Sequence, residues 1–281
     1  MATHNQVRIV GFLLNDPIIT NENDMGEEQV LISIRACNRE LDGYYFTPFQ
    51  DVFIYYDDND NTDLLKRLKS LNAYDMVDIK GVFNVLSVNK WSDCPECGEE
   101  NVKLNGTSCF VYPISCLKLN NLQTMYQEDE SVPEKLLLDY YQEVSNHIIL
   151  IGNVMSEPEM TGTPSSPCCR YQLGIERKYF IKTQEDMKYD YPYVYSYGKQ
   201  AKNDIRYLKP GALVFLEGFI RNRKVQSDMV CENCGTKYQY PSVASELIPY
   251  SIEYLRGYYT DEELEEMEEQ KEKKEPDPFP F

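Results

Sequence analysis

The chain repeats itself, and a repeat restricts the possible folds more than composition does. Residues 7–20, VRIVGFLLNDPIIT, return at 148–161 as IILIGNVMSEPEMT, with Gly11 matching Gly152 at an offset of 141. VDIKGVFN at 77–84 returns as VFLEGFIR at 214–221, and Cys94-Pro-Glu-Cys97-Gly returns as Cys231-Glu-Asn-Cys234-Gly, both at an offset of 137. The order of these pieces is also kept, so the 281 residues read as two copies of one small unit.

Within each copy the pattern is that of strands broken by turn chemistry. In the first, 7–14 and 30–38 alternate apolar and polar residues, 51–56 is β-branched and aromatic, and 75–86 and 112–119 complete five strands. Leu64, Leu65, Leu68 and Leu71 fall at helical spacing over 62–71, with Thr62 or Asp63 placed as the cap. The second copy repeats this with strands near 147–154, 168–176, 192–197, 212–221 and 248–255 and a helix at 201–208. Five strands with a helix between the third and fourth is the order of an OB barrel; a generic five-stranded domain is the plainer alternative. The expected fold is mainly β, two tandem OB-fold barrels, each with a CxxC loop insertion between strands 4 and 5. Domain limits are expected at 1–120 and 146–258, joined by a connector, 121–145, with a helix near 133–144, and followed by a disordered acidic tail at 259–281.

NHIILIGNVMSEPEM resembles the first strand of bacterial single-stranded DNA-binding proteins. YVYSYGKQAKNDIRYLKPGALVFLEGFIRNRK, residues 193–224, is similar to the family's third strand, Gly-Lys turn, short helix and fourth strand with a basic end. The likeness covers most of 146–225 and is weaker over 6–86, where Tyr56-Asp57-Asp58 replaces the Gly-Lys turn and Asn84-Val85-Leu86 replaces the basic end. The resemblance implies single-stranded DNA as the ligand and stacking aromatics at Tyr191 and Tyr197. The corresponding positions of the first copy are Phe49 and Tyr55.

A formal net charge of −18 runs against a nucleic-acid binder, which needs cations for phosphate. Much of that charge lies outside the two copies. Residues 260–281 hold ten Asp or Glu against three Lys, and 121–146 hold six acidic residues and one Lys, so the remainder carries −6. Any DNA surface must therefore be a local basic stripe. Candidates in the second copy are Arg170, Arg177, Lys178, Lys199, Arg221, Arg223 and Lys224; in the first they are Arg8, Arg35, Arg39, Lys80 and Lys90. Tyr191, Tyr193, Tyr195 and Tyr197 fall at period two and project from one strand face, and Trp91, the only Trp, follows Lys90 in the loop between strands 4 and 5.

Nine cysteines, two pairs of them in CxxC, suit metal or thiol chemistry in a reducing compartment. Cys94 and Cys97 are followed by Cys109 and Cys116, which gives four thiols for one Zn site in the first copy. In the second copy Cys231 and Cys234 lack such neighbours, so Cys168 and Cys169 are the candidates for a weaker second site. Catalysis finds little support: His4 and His147 are the only histidines, no Gly-rich phosphate loop is present, and the Asp57, Asp58, Asp60 turn lacks the Gly and Glu of an EF-hand.

No apolar stretch is long enough to span a bilayer, and no signal peptide is visible at the start, so a cytoplasmic location is expected. The acidic run and the Asp277, Phe279, Pro280, Phe281 ending resemble the tip by which the same bacterial family recruits replication and repair enzymes. The expected function is a non-enzymatic protein that coats single-stranded DNA in replication, recombination or repair, with the tip as partner-binding segment and a homodimer as the assembly. A protein-interaction scaffold built on OB folds, or an RNA-binding OB protein, are the alternatives.

Overall fold

A computed structural model describes residues 4–21, 27–177 and 189–272. The first repeat holds β1 (His4–Leu13), β2 (Ile18–Asn21), β3 (Glu28–Cys37), β4 (Phe49–Tyr56), α1 (Thr62–Lys69), β5 (Asp75–Asp93) and β6 (Glu100–Asn121). Helices α2 (Gln123–Glu128) and α3 (Ser131–Tyr140) form the connector. The second repeat holds β7 (Asn146–Val154), β8 (Glu159–Met160), β9 (Cys168–Glu176), β10 (Tyr189–Asp190), β11 (Tyr193–Tyr197), α4 (Gly198–Tyr207), β12 (Leu213–Val230) and β13 (Lys237–Arg256), followed by α5 (Asp261–Glu272).

Strand pairing closes on itself twice. β1 pairs with β3, β3 with β4, β4 in parallel with β6, β6 with β5, and β5 with β1. In the second repeat β7, β9, β11, β13 and β12 make the same circuit, again with one parallel pair, β11 with β13. Alternation explains the closure. Val30, Ile32 and Ile34 of β3 and Val52, Ile54 and Tyr56 of β4 all point inward and are buried. Leu64, Leu65 and Leu68 of α1 plug one end of this interior. The cap of α1 is Asn61, whose side chain accepts from Leu64 N, in place of the expected Thr62 or Asp63.

The two repeats are joined edge to edge by β1 and β7, which run antiparallel. In that register Val7 faces Ile148, its own counterpart at an offset of 141, and Asn5 and Ile9 face Leu150 and Asn146. A local two-fold axis therefore passes between Val7 and Ile148, as in an isologous dimer interface. Two further contacts cross between the repeats: Asn222 Nδ2 donates to Asp51 O at 2.8 Å, and Val85 N donates to Asp190 Oδ1 at 3.0 Å.

Three sequence expectations change. The inserted segments at 87–108 and 226–246 are not loops: β5 and β6 form one continuous hairpin, as do β12 and β13, and the CxxC knuckles are their tips. The connector helix starts at Ser131, which places Pro133 in the first turn where its missing N–H costs nothing. The acidic tail is helical through Glu272. Thr260 and Glu263 form a reciprocal capping box, with Glu263 N to Thr260 Oγ1 at 3.2 Å and Thr260 N to Glu263 Oε2 at 3.0 Å, and Tyr207 Oη and Lys209 hold Asp261 and Glu263. Among the described residues, no helix is long and apolar enough to cross a membrane.

Candidate nucleic-acid interface and thiol cluster

The loop between β3 and β4 crosses from the first repeat onto the outer face of the second. Gly43, at φ +77°, lies against Gly198, and a Cβ on Gly43 would come within 2.8 Å of Gly198 N, so both positions need the missing side chain. This approach seats Tyr44 in a cluster with Phe219 and Ile248, with Tyr197 and Tyr250 beside it. Arg39 locks the loop from its other end by pairing with Glu217 at 2.7 Å and lying over the Tyr250 ring.

Arg221 sits in the middle of this contact. Its side chain is 6% exposed and paired with Glu246, and the rings of Tyr44, Phe46, Tyr195 and Tyr197 surround the guanidinium at 5.0–5.8 Å. Its Nη1 has no hydrogen-bond partner among the described residues. Beside it a cleft of about 450 Å³ runs between the repeats, lined by Arg35, Phe46, Phe49, Asp51, Arg221 and Arg223 among others.

The basic stripe read from the sequence is mostly committed to ion pairs. Arg35 bonds Asp51 at 2.5 Å and Glu134 at 2.6 Å, and Arg223 bonds Glu246 at 2.8 Å. Arg177 is nearly buried between Asp190 and Val85 O, where it bridges the repeats. Lys90 reaches Ser242 Oγ at 3.0 Å, and burial lowers its pKa. Lys199 and Lys224 are exposed. Lys178 lies outside the described residues, as do Asp277, Phe279, Pro280 and Phe281.

The aromatic candidates separate into two groups. Tyr197 is half-buried, 5.2 Å from the Tyr44 ring, and Tyr55 packs on Phe110 at 5.6 Å. Phe49 is partly covered by the cluster containing Val10 and Phe12. Tyr191, Tyr193 and Trp91 present open faces, and Arg170 lies 4.5 Å over the ring of Tyr193. Sequence reasoning missed Tyr45 and Phe46, which are 86% and 60% exposed; Phe46 lines the inter-repeat cleft and Tyr45 precedes it in the chain. The run Gly43-Tyr44-Tyr45-Phe46 between two strands was the available signal.

The thiols are grouped differently from the expectation. Cys94, Cys97, Cys231 and Cys234 bring all four sulfurs within 4.8 Å of one another, close enough to hold one metal ion. Cys94 Sγ is 3.7 Å from Cys234 Sγ, and Cys97 Sγ is 3.6 Å from Cys231 Sγ. A tetrahedral ion with Zn–S bonds of about 2.3 Å would separate its sulfurs by about 3.8 Å. Both knuckles turn alike: Gly98 and Gly235 have φ +72°, and their N–H groups donate to Cys94 O and Cys231 O at 2.9 Å. Asn101 Nδ2 points at Cys231 Sγ from 3.6 Å and Asn233 Nδ2 at Cys97 Sγ from 3.8 Å, the outer hydrogen bonds that thiolate ligands take.

Cys109 and Cys116 are not part of the cluster. They stand opposite Val85 and Ile79 in the β5–β6 pair, and burial pushes their thiols up to about 12 and about 11. Cys168 and Cys169 pair with Tyr197 and Ser196 on β11, with Cys169 pushed up to about 12 by burial. The buried thiols of Cys109, Cys116 and Cys169 are inert packing groups rather than ligands, and Cys168, half-buried, stands outside the cluster.

Comparison with known proteins gives a consistent result. Over 80 residues the chain is 29% identical to single-stranded DNA-binding protein 2 of Clostridium acetobutylicum, covering 28% of this chain and 59% of that protein. Over 84 residues it is 29% identical to single-stranded DNA-binding protein 1 of Streptococcus pyogenes, covering 30% of this chain and 63% of that protein. The match thus spans under two thirds of either relative. A deletion variant of the single-stranded DNA-binding protein from Thermus aquaticus superposes with a TM-score of 0.59 at 13% identity, over 92% of this chain and 98% of that one, a likeness of fold. Residues 145–241 of the chain match the single-strand binding protein family, and the two curated relatives above are single-stranded DNA-binding proteins.

Proposed function

We propose that this chain binds single-stranded DNA through two OB barrels in tandem, and that it coats exposed strands in replication, recombination or repair. The observation that carries the reading is that the family match over 145–241 falls on the second closed circuit of strands, and the first circuit repeats its order. Base stacking falls to Tyr191, Tyr193, Trp91 and the unforeseen Tyr45 and Phe46, with Lys199 and Lys224 as the exposed cations for phosphate. Arg221 and Arg223 serve this surface by positioning the aromatic rings and the cleft wall. The thiol cluster is read as a zinc centre, and no residue set for catalysis is assigned. The acidic segment ending in Asp277, Phe279, Pro280 and Phe281 is read as the site for replication and repair enzymes, whose binding should be lost on deleting 277–281 while DNA affinity is kept.

The test is a titration of Trp91 fluorescence with dT oligomers and matched RNA oligomers at two salt concentrations. Salt-dependent binding that prefers DNA is expected. Lack of binding to either would favour the protein-interaction scaffold, which suits a body whose arginines are largely paired.

A further inference from the structure

The four thiols come from two repeats, two from each, at positions equivalent by the offset of 137. The cluster therefore lies on the same local two-fold axis that passes between Val7 and Ile148. That placement differs from a zinc knuckle complete within one hairpin, and it joins the tips of two arms whose roots lie in separate barrels.

The arms have little else to hold them. Among the described residues of 87–107 and 224–243, the buried apolar side chains are Cys94, Cys231 and Tyr240. The direct contacts between arms are polar: Ser92 Oγ with Tyr238 Oη at 2.8 Å, Lys90 Nζ with Ser242 Oγ at 3.0 Å, and Glu232 N to Asn101 Oδ1 at 3.1 Å. Two-stranded ribbons without a hydrophobic face are marginal in water, and small modules that lack a core take their folding energy from a metal or a disulfide. The sulfurs are too far apart for disulfides and close to tetrahedral spacing.

Resting on the zinc reading above, we propose that one zinc ion is shared by the repeats as a staple, held by Cys94 and Cys97 from one hairpin and Cys231 and Cys234 from the other. The ion fixes the two arms as a single unit and so sets the position of Trp91, which stands exposed on the first arm three residues before Cys94. Without it each arm is a free ribbon, while the barrels keep their own cores and the β1–β7 seam.

Full-length protein purified without added metal can be assayed for bound zinc and for backbone hydrogen exchange. About one zinc per chain is expected, lost in both Cys94→Ser and Cys231→Ser and retained in Cys109→Ser. In the two metal-free variants, exchange over 87–106 and 224–243 should rise about tenfold or more while β1 and β7 keep their protection. Retained β1 and β7 protection also shows that the variants fold. Stripping the wild-type chain with a chelator and restoring zinc should release and recover the same arms, with Trp91 fluorescence anisotropy falling and returning. A wild-type chain with no zinc would remove the zinc reading itself. Zinc kept by either Cys94→Ser or Cys231→Ser would overturn the shared site, and arms that exchange at wild-type rates after zinc loss would overturn the staple while leaving the metal site standing.

Discussion

Asn5 and Phe83 are joined by two reciprocal hydrogen bonds: Asn5 Nδ2 donates to Phe83 O and Asn5 Oδ1 accepts from Phe83 N, both at 2.8 Å. Asn146 holds Ile220 in the same way, at 2.8 and 3.1 Å. Both carboxamides are buried, one on either side of the β1–β7 seam, and each satisfies backbone groups where the hairpin leaves its barrel. Asn5→Ala and Asn146→Ala should each destabilise by about 1–3 kcal/mol, because either strands a buried N–H and C=O. Chemical denaturation of the two variants should give similar losses. A loss in one and none in the other would break the local symmetry as an energetic statement.

Asp204 gives the fold a pH dependence of defined sign. Burial raises its carboxyl to about 6, offset only in part by hydrogen bonds from Tyr254 Oη and Gln200 Nε2, both at 2.7 Å. The folded chain thus keeps a proton that the unfolded chain releases near pH 4, so this group's contribution falls as pH rises from about 4 to above 6, by about 3 kcal/mol in all. Asp204→Asn, which keeps the shape and needs no proton, should flatten that part of the stability profile. Unfolding midpoints for both proteins between pH 4 and 7 check it; parallel profiles would show that folding does not raise the Asp204 carboxyl.

Tyr197 and Tyr193 should respond differently to truncation. Tyr197 is half-buried against Tyr44, so Tyr197→Ala should cost stability, about 2–4 kcal/mol, through lost packing. Tyr193 is open on one face, so Tyr193→Ala should weaken dT binding by about 1–3 kcal/mol with little change in unfolding. Thermal melts and titrations on the same two variants separate the effects.

Arg221→Leu removes the main partner of a buried carboxylate. Glu246 is 3% exposed and would be left with Arg223 alone, so a loss of about 3–5 kcal/mol is expected. The double variant Arg221→Leu with Glu246→Leu should recover much of it. Denaturation midpoints for the cycle decide this, and a double variant no more stable than the single would show that the charge pair is not what the site requires.

The barrel strands were legible because Val30, Ile32 and Ile34 or Val52, Ile54 and Tyr56 announce a buried face every second residue. The arms beyond Ser87 and Lys224 have no such face, so strands that exist by pairing alone looked like loops. The thiol grouping was hidden for a related reason. Cys109 and Cys116 are near Cys94 in sequence, whereas Cys231 and Cys234 reach it only through the two-fold seam. The basic stripe was visible as composition, but sequence does not reveal that Arg35, Arg177 and Arg221 already have acidic partners. Tyr197 falls in the same class, since the loop that covers it belongs to the other repeat.

Val7 and Ile148 meet as counterparts, yet the chain around them need not stay identical. In a true homodimer every substitution is made twice, and one near the axis meets its own copy. Here each is made once. Arg221 stands where the other repeat has Asn84, and the acidic turn at Asp57 stands where the other has Gly198-Lys199. A two-fold dimer presents the same face to a strand threaded in either direction. This chain presents two different halves in a fixed order, so a strand lying across both would have its 5′ and 3′ directions distinguished.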